Sequence, residues 1–159
     1  MLPKTSTESL RTGAGFLAAT FDGFTALFPQ QDVMTVEQRS HLTEHRDAYA
    51  MYRGGGISAR VFSLSRAFQP MAKIDRPYFI VARYRGGLFG LACDELQAIK
   101  LSQISLKSIP ASLKCGNSPI ESFAQFGKKM AFQCSLEAIA ALLPLEDVET
   151  HEHEQSHPA

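Results

Sequence analysis

Residues 79–99, FIVARYRGGLFGLACDELQAI, are the strongest indication of the fold, because residues 16–36, FLAATFDGFTALFPQQDVMTV, have the same pattern sixty-three positions earlier. Each copy contains an apolar strand, a glycine turn, a second apolar strand, and an acidic residue ahead of two spaced aliphatic side chains. A repeat of this kind indicates a fold built from duplicated units. The sequence therefore predicts two similar β units that share one core and meet at a seam. Two unrelated hairpins of similar composition are the alternative.

Short strands are also indicated along the rest of the chain. Residues 57–64 have strand character, and residues 78–82 are apolar on both faces, which indicates a strand buried on two sides. Residues 120–134 have the pattern of a final hairpin. Ser135 is a suitable N-cap for a helix with apolar positions at Leu136, Ile139, Ala140 and Leu143. Residues 38–49 are polar and irregular and predict a surface loop. This pattern favours an all-β fold of small closed barrels.

Composition limits the domain organisation and the class of partner. The chain has 159 residues, with 16 basic and 16 acidic side chains. This length suits one domain, or two small subdomains with a common core. We expect a flexible lead over residues 1–14, the folded domain over 15–145, and a disordered acidic and histidine-bearing segment over 146–159. The balanced charge argues against a nucleic-acid-binding protein.

The cysteines and the hydropathy pattern indicate a cytoplasmic location. The chain has three cysteines and no CxxC pair, and Cys93 and Cys134 lie inside apolar strand patterns. This usage is typical of reduced, buried thiols. No segment has the length and apolarity of a transmembrane helix, and the first residues do not resemble a signal peptide.

No combination of residues indicates catalysis, a cofactor or a metal. A buried thiol has a raised pKa and low reactivity, which makes Cys93 and Cys134 poor nucleophiles. Asp94 and Glu95 are adjacent in a strand pattern, so their side chains point to opposite faces. Gly54-Gly55-Gly56 lacks the Gly-Lys-Ser/Thr ending of a phosphate loop. The histidine pair His41 and His45, and the group His151, His153 and His157, lack the fold and further ligands that a metal site needs.

Residues 79–99 resemble the second half of CheW-like chemotaxis adaptors. In that family a strand and a turn lead into the pattern Gly-Leu/Ile-x-x-Asp-x-Val-x-x-Val. Here the pattern is occupied by Gly90, Leu91, Asp94, Leu96 and Ile99. The first copy fits the same plan, with Val33 and Val36 as the aliphatic pair. The order of parts agrees from about residue 15 to residue 143, over most of the chain.

The resemblance implies two small SH3-like, five-stranded barrels related by pseudo-twofold symmetry and followed by a short helix. It implies a non-catalytic, cytoplasmic adaptor without a cofactor. Its expected partners are the cytoplasmic tip of a methyl-accepting chemoreceptor and the regulatory domain of a CheA-type histidine kinase. The pathway would be flagellar or based on type IV pili, with neither nucleic-acid binding nor membrane insertion. A divergent paralogue that binds only one partner, or a small ligand-binding barrel, remains as an alternative.

The resemblance also suggests partner-binding residues. The Asn-Leu-Arg-Gly turn of the family is represented here by Tyr52-Arg53-Gly54, which makes Arg53 a candidate for partner contact, although it also fits a solvated turn. The aliphatic pairs of the two copies are candidates for an apolar rim along the groove between the barrels. Burial in the core is the alternative for these four residues, Val33, Val36, Leu96 and Ile99.

Overall fold

The structure, a computed structural model, describes residues 15–110 and 118–145. The expectations for residues 1–14, Cys115 and residues 146–159 lie outside the described residues. The described chain contains twelve strands and one α-helix. They are β1 (Gly15–Phe21), β2 (Phe24–Pro29), β3 (Val33–Gln38), β4 (Leu42–Thr43), β5 (Ala50–Gly54), β6 (Ile57–Phe62), β7 (Tyr78–Tyr84), β8 (Gly87–Cys93), β9 (Glu95–Lys100), β10 (Lys107–Ser108), β11 (Ile120–Phe126), β12 (Lys129–Cys134) and α1 (Leu136–Ala141).

The strands form two six-stranded sheets with the same strand order. Sheet A runs β10-β11-β12-β2-β1-β9, and sheet B runs β4-β5-β6-β8-β7-β3. In each sheet a central hairpin pairs antiparallel with one edge strand and parallel with the last strand of a three-stranded group. Strand β3 follows hairpin β1–β2 in sequence but joins β7, whereas β9 follows hairpin β7–β8 but joins β1. The two halves of the chain therefore exchange strands.

The repeated hairpins have the same register. Ala18 pairs with Leu27 in the first hairpin, and the equivalent residues Val81 and Gly90 pair in the second. The large side chain lies on the second strand in one hairpin and on the first strand in the other. The prediction of duplicated β units is confirmed.

Buried apolar side chains form three clusters, one inside each sheet and one between the sheets. The cluster inside sheet A includes Phe16 and Leu27, and the cluster inside sheet B includes Phe79 and Val81. The central cluster, which we call the seam core, lies between the two hairpins and contains Phe21, Phe28, Ile80, Phe89 and Leu91, together with residues of α1. Both hairpins are buried on two faces, which explains why residues 78–82 have no polar face.

The predicted helix is confirmed. The Oγ atom of Ser135 accepts a hydrogen bond from the Ala138 amide at 3.1 Å, and Leu136, Ile139 and Ala140 are buried. Strand β5 was not predicted, and the two-residue strand β4 lies inside the predicted loop 38–49. Each sheet has six strands where the resemblance implied five; one of the six is the two-residue β4 or β10.

Candidate protein-binding surfaces

Strand β3 presents one aliphatic residue to the core and one to solvent. Val33 pairs with Ala82 in the seam core and is 5% exposed. A β-bulge between Val33 and Thr35 shifts the register, so Val36 pairs with Ile80 on the same seam side but is 47% exposed. A bulge inserts one residue and reverses the alternation of faces beyond it. Val33 therefore belongs to the core, which corrects its expected place on the rim, whereas Val36 lies at the edge of the seam.

The second copy has no bulge, and its aliphatic pair divides between two faces. Leu96 pairs with Ala19 and packs half-buried against the seam core. Ile99 pairs with Phe16 inside sheet A and is 1% exposed. The expectation that Ile99 lies on an exposed rim is therefore wrong, because an odd spacing in a regular strand turns the second residue to the opposite face. Leu96 remains accessible from solvent at the seam.

An exposed apolar patch surrounds Val36. Tyr78 lies on the same face of the β3–β7 ladder, paired with Gln38, and is 40% exposed. Met34, in the bulge, is also exposed, and the guanidinium of Arg83 lies 2.8 Å from its sulfur. This contact places Met34 on the opposite face of the ladder, with Arg83, so we call Val36 and Tyr78 alone the seam patch. Sequence reasoning missed Tyr78, because only the pairing of β3 with β7 brings it next to Val36.

Arg53 lies on β5 with an exposed side chain, and its guanidinium forms an ion pair with Glu44. Glu44 also lies 4.0 Å from the Arg46 guanidinium, so one carboxylate serves two cations. Arg60, on the neighbouring strand β6, points to the same face of the ladder as Arg53. An alternation of Ser58 and Arg60 with buried Ala59 and Val61 signals this outward face in the sequence. Arg53 therefore belongs to a cluster of arginines.

Glu37, beside the seam patch on β3, is the centre of a hydrogen-bond network. Thr35 donates to its carboxylate at 2.8 Å, Tyr52 donates at 3.1 Å, and the His41 ring nitrogen lies 2.8 Å away. The hydrogen bond from Thr35 lowers the pKa of Glu37, aided by those from His41 and Tyr52 and opposed by burial. Burial raises the pKa of Tyr52, and the bond to Glu37 adds to this effect. The network fixes β3 against β5.

The aspartate of the family pattern, Asp94, has a structural role. It lies 3.8 Å from the guanidinium of Arg76, which is 7% exposed and donates a hydrogen bond of 2.7 Å to the Leu64 carbonyl. Arg76 also lies over the ring of Phe21 at 5.7 Å. A buried guanidinium needs partners of this kind to offset its lost hydration. Arg76 thus joins the connection before β7 to the seam core.

Cys93 and Cys134 are buried free thiols. Burial raises the pKa of Cys93 to about 12 and also raises the pKa of Cys134. Both remain protonated at neutral pH and are poor nucleophiles. Within residues 15–110 and 118–145, no group of three or more histidine, cysteine, aspartate or glutamate side chains could hold a metal ion. The same part of the chain contains no helix long and apolar enough to cross a membrane.

Comparison with known proteins finds similarity in fold but not in sequence. No family model matches the chain, and no curated protein matches it. Among solved structures it is similar to the scaffolding protein CheW of Thermoanaerobacter tengcongensis, with a TM-score of 0.56 over 80% of this chain and 92% of that chain. The chain has a CheW-like fold. Sequence identity is 16%, so the likeness concerns the fold. The predicted CheW-like fold class is confirmed, while partner binding by Arg53, Val36 and Leu96 stays a prediction.

Proposed function

We propose that this chain is a non-catalytic, cytoplasmic scaffold that couples the tip of a chemoreceptor to the regulatory domain of a CheA-type histidine kinase. The observation that carries the proposal is the CheW-like fold over 80% of the chain. Each unit is filled by its own buried side chains, as in the clusters around Phe79 and Phe16, which argues against a barrel that encloses a small ligand. Function therefore depends on the outer surfaces.

The seam patch is the surface that best fits a protein partner. Val36 and Tyr78 are both more than a third exposed and share one face of the β3–β7 ladder. Exposed aromatic and aliphatic side chains of this kind are typical of interface centres, where a few residues provide most of the binding energy. The antiparallel pairing of β3 with β7 places both side chains on the same face of the sheet.

Binding to the kinase regulatory domain, measured by calorimetry, tests this proposal. We expect the unmodified chain to bind with a micromolar or lower dissociation constant, and Val36→Asp to weaken binding by about tenfold or more, as loss of an interface residue does. Because Val36 is 47% exposed, its substitution should change the free energy of unfolding by no more than about 0.5 kcal/mol. Met130→Asp, at an equally exposed apolar residue on β12, is the matched control. No binding by the unmodified chain, or equal affinities of the two variants, would contradict the proposal.

One observation favours a second candidate, a paralogue that binds only the kinase. The arginine that the family resemblance assigns to partner contact, Arg53, is already paired with Glu44 of the same chain. An exposed ion pair contributes little to stability, but it must open before Arg53 can bind another carboxylate. Separate titrations with the kinase domain and with the receptor tip distinguish the candidates, because the paralogue would bind the first and not the second.

A further inference from the structure

A groove rich in arginine begins where the described chain ends. A surface groove of about 360 Å³ and an adjoining one of about 580 Å³ share Tyr84, Gly86 and Leu145 as lining residues. The arginines that line them are Arg46, Arg53, Arg60 and Arg85. The acidic residues that line them are Glu44 and Glu137. Four cations against two anions leave an excess of positive charge on this face.

Arg60 fixes the point at which the chain enters this groove. Its guanidinium donates hydrogen bonds to the carbonyl oxygen of Pro144 at 3.2 Å and to that of Leu145 at 2.7 Å. The same guanidinium lies over the ring of Tyr49 at 5.2 Å. Among residues 15–110 and 118–145, no ion pair involves Arg60 or Arg85. The charge of Arg60 is therefore satisfied by peptide carbonyls and an aromatic ring, without a carboxylate.

Arg53 and Arg60 lie close together on one face of the β5–β6 ladder. Arg60 pairs with Met51, and Arg53 is two residues beyond Met51, so the two arginines are diagonal neighbours. Such neighbours have Cα atoms about 7–8 Å apart. Glu44 is shared between Arg53 and Arg46. A further carboxylate at this point would offset repulsion between like charges as well as form its own contacts.

We propose that the acidic segment 146–154 of the same chain docks in this groove. Its sequence is EDVETHEHE, and residues 146–159 contain no lysine or arginine. The carbonyl of Leu145 is already held by Arg60, and four extended residues span at most about 13–14 Å, so Glu146, Asp147 and Glu149 can reach Arg53 and Arg60. Carboxylate and guanidinium groups form charge-assisted, often bidentate hydrogen bonds.

The docked segment covers Arg53, the residue that the family resemblance assigns to partner contact. The segment would therefore compete with an acidic partner helix for the same guanidinium. This consequence rests on the proposed function, whereas the docking itself does not. Competition by a covalently attached segment occurs at high effective concentration, so even weak contacts suffice to hold it in place.

Chemical modification of arginine tests the docking in the full chain. Phenylglyoxal modifies accessible guanidinium groups, and mass spectrometry of peptides gives the rate for each arginine. We compare the unmodified chain with the variant Glu146→Gln/Asp147→Asn/Glu149→Gln. At low ionic strength we expect Arg46 and Arg53 to react about fivefold more slowly in the unmodified chain, and about 0.5 M salt to remove the difference. Arg66 and Arg83, exposed outside the groove, are internal controls and should react equally in both chains.

Each result supports or overturns the proposal. Equal rates for Arg53 in the two chains at low salt would show that the segment does not cover the groove. Protection that disappears on dilution from about 100 to about 1 μM would assign the contact to another copy and overturn docking within one chain. The comparison of reaction rates at low and high salt uses the unmodified chain alone, so it remains valid if the variant is unstable. No kinase or receptor is present, which separates failure here from failure of the proposed function.

Discussion

The carboxylate of Glu37 links charge to stability at the scale of a single residue. Its pKa is lowered in the folded chain by hydrogen bonds from Thr35, His41 and Tyr52. A carboxyl group with a lowered folded pKa stabilises the fold above its unfolded pKa, about 4.3, and this stabilisation is lost as the pH falls through the folded pKa. The network around Glu37 should therefore weaken in acid and be complete at neutral pH.

Glu37→Gln removes the charge and keeps one acceptor oxygen for Thr35 and Tyr52. We expect the free energy of unfolding at pH 7 to fall by about 1–2 kcal/mol, because hydrogen bonds to a charged group are stronger than neutral ones. At an acidic pH below the lowered folded pKa of Glu37, the variant and the unmodified chain should converge, because the native carboxylate is then protonated as well. Urea unfolding at both pH values gives the difference. Glu121→Gln, on the exposed side of β11, is the control, and an equal loss in both variants would contradict the role of the network.

At the scale of an element, strand β8 depends on a glycine at its most crowded point. Gly90 pairs with Val81 on one side and Val61 on the other. An added Cβ atom would lie 2.6 Å from the Val61 Cγ2 atom and 3.0 Å from the Ile80 carbonyl oxygen. Since the carbonyl belongs to a paired strand, it cannot move without disturbing the ladder. We therefore assign Gly90 to close packing between strands.

Gly90→Ala should destabilise the fold by about 1–3 kcal/mol, the usual cost of inserting a methyl group into a full interior. Chemical denaturation measures this loss. Val61→Ala in the same chain as Gly90→Ala should recover part of the stability, because it removes the nearest atom. A single variant as stable as the unmodified chain would show that β6 and β8 can separate freely at this position.

Strands and helices with a strong periodic pattern could be predicted from the sequence. The orientation of side chains on the edge strands could not. Hairpin β7–β8 and helix α1 follow directly from apolar runs, turn glycines and the Ser135 cap. The spacing of Val33 and Val36 is the same as that of Leu96 and Ile99, yet the bulge in β3 puts both valines on the seam side. No local residue pattern indicates this bulge, because it is set by pairing with β7. Burial of Val33 and exposure of Val36 therefore depend on tertiary contacts.

The candidate binding surfaces could also be predicted only in part from the sequence. Arg53 could be selected by its position in an Arg-Gly turn, but its neighbours Arg46 and Arg60 come from other elements that meet only in the folded sheet. Strand β5 contains Arg53 and was missed, because two of its five residues, Ala50 and Gly54, have low strand propensity. The exchange of β3 and β9 between the halves was likewise invisible, since either strand has the same pattern wherever it pairs.

At the scale of the whole molecule, this exchange makes the two sheets one cooperative unit. Sheet A contains β1 and β2 from the first half with β9–β12 from the second, and the seam core draws residues from both sheets. Unfolding of either sheet would expose the side chains of the seam core on the other. We therefore expect a single unfolding transition, in which both sheets lose structure together.

Phe79→Ala tests whether the two sheets unfold together, because Phe79 is fully buried within sheet B and is not part of the seam core. The substitution should lower the free energy of unfolding by about 3–5 kcal/mol. Native-state hydrogen exchange should show the same loss of protection for the slowest amides of β1 and β2 in sheet A as for those of β7 and β8 in sheet B. Phe16→Ala, at the equivalent position inside sheet A, should give the mirror result. Protection lost in sheet B alone would mean that the sheets unfold separately, and that strand exchange shapes the molecule without coupling its halves.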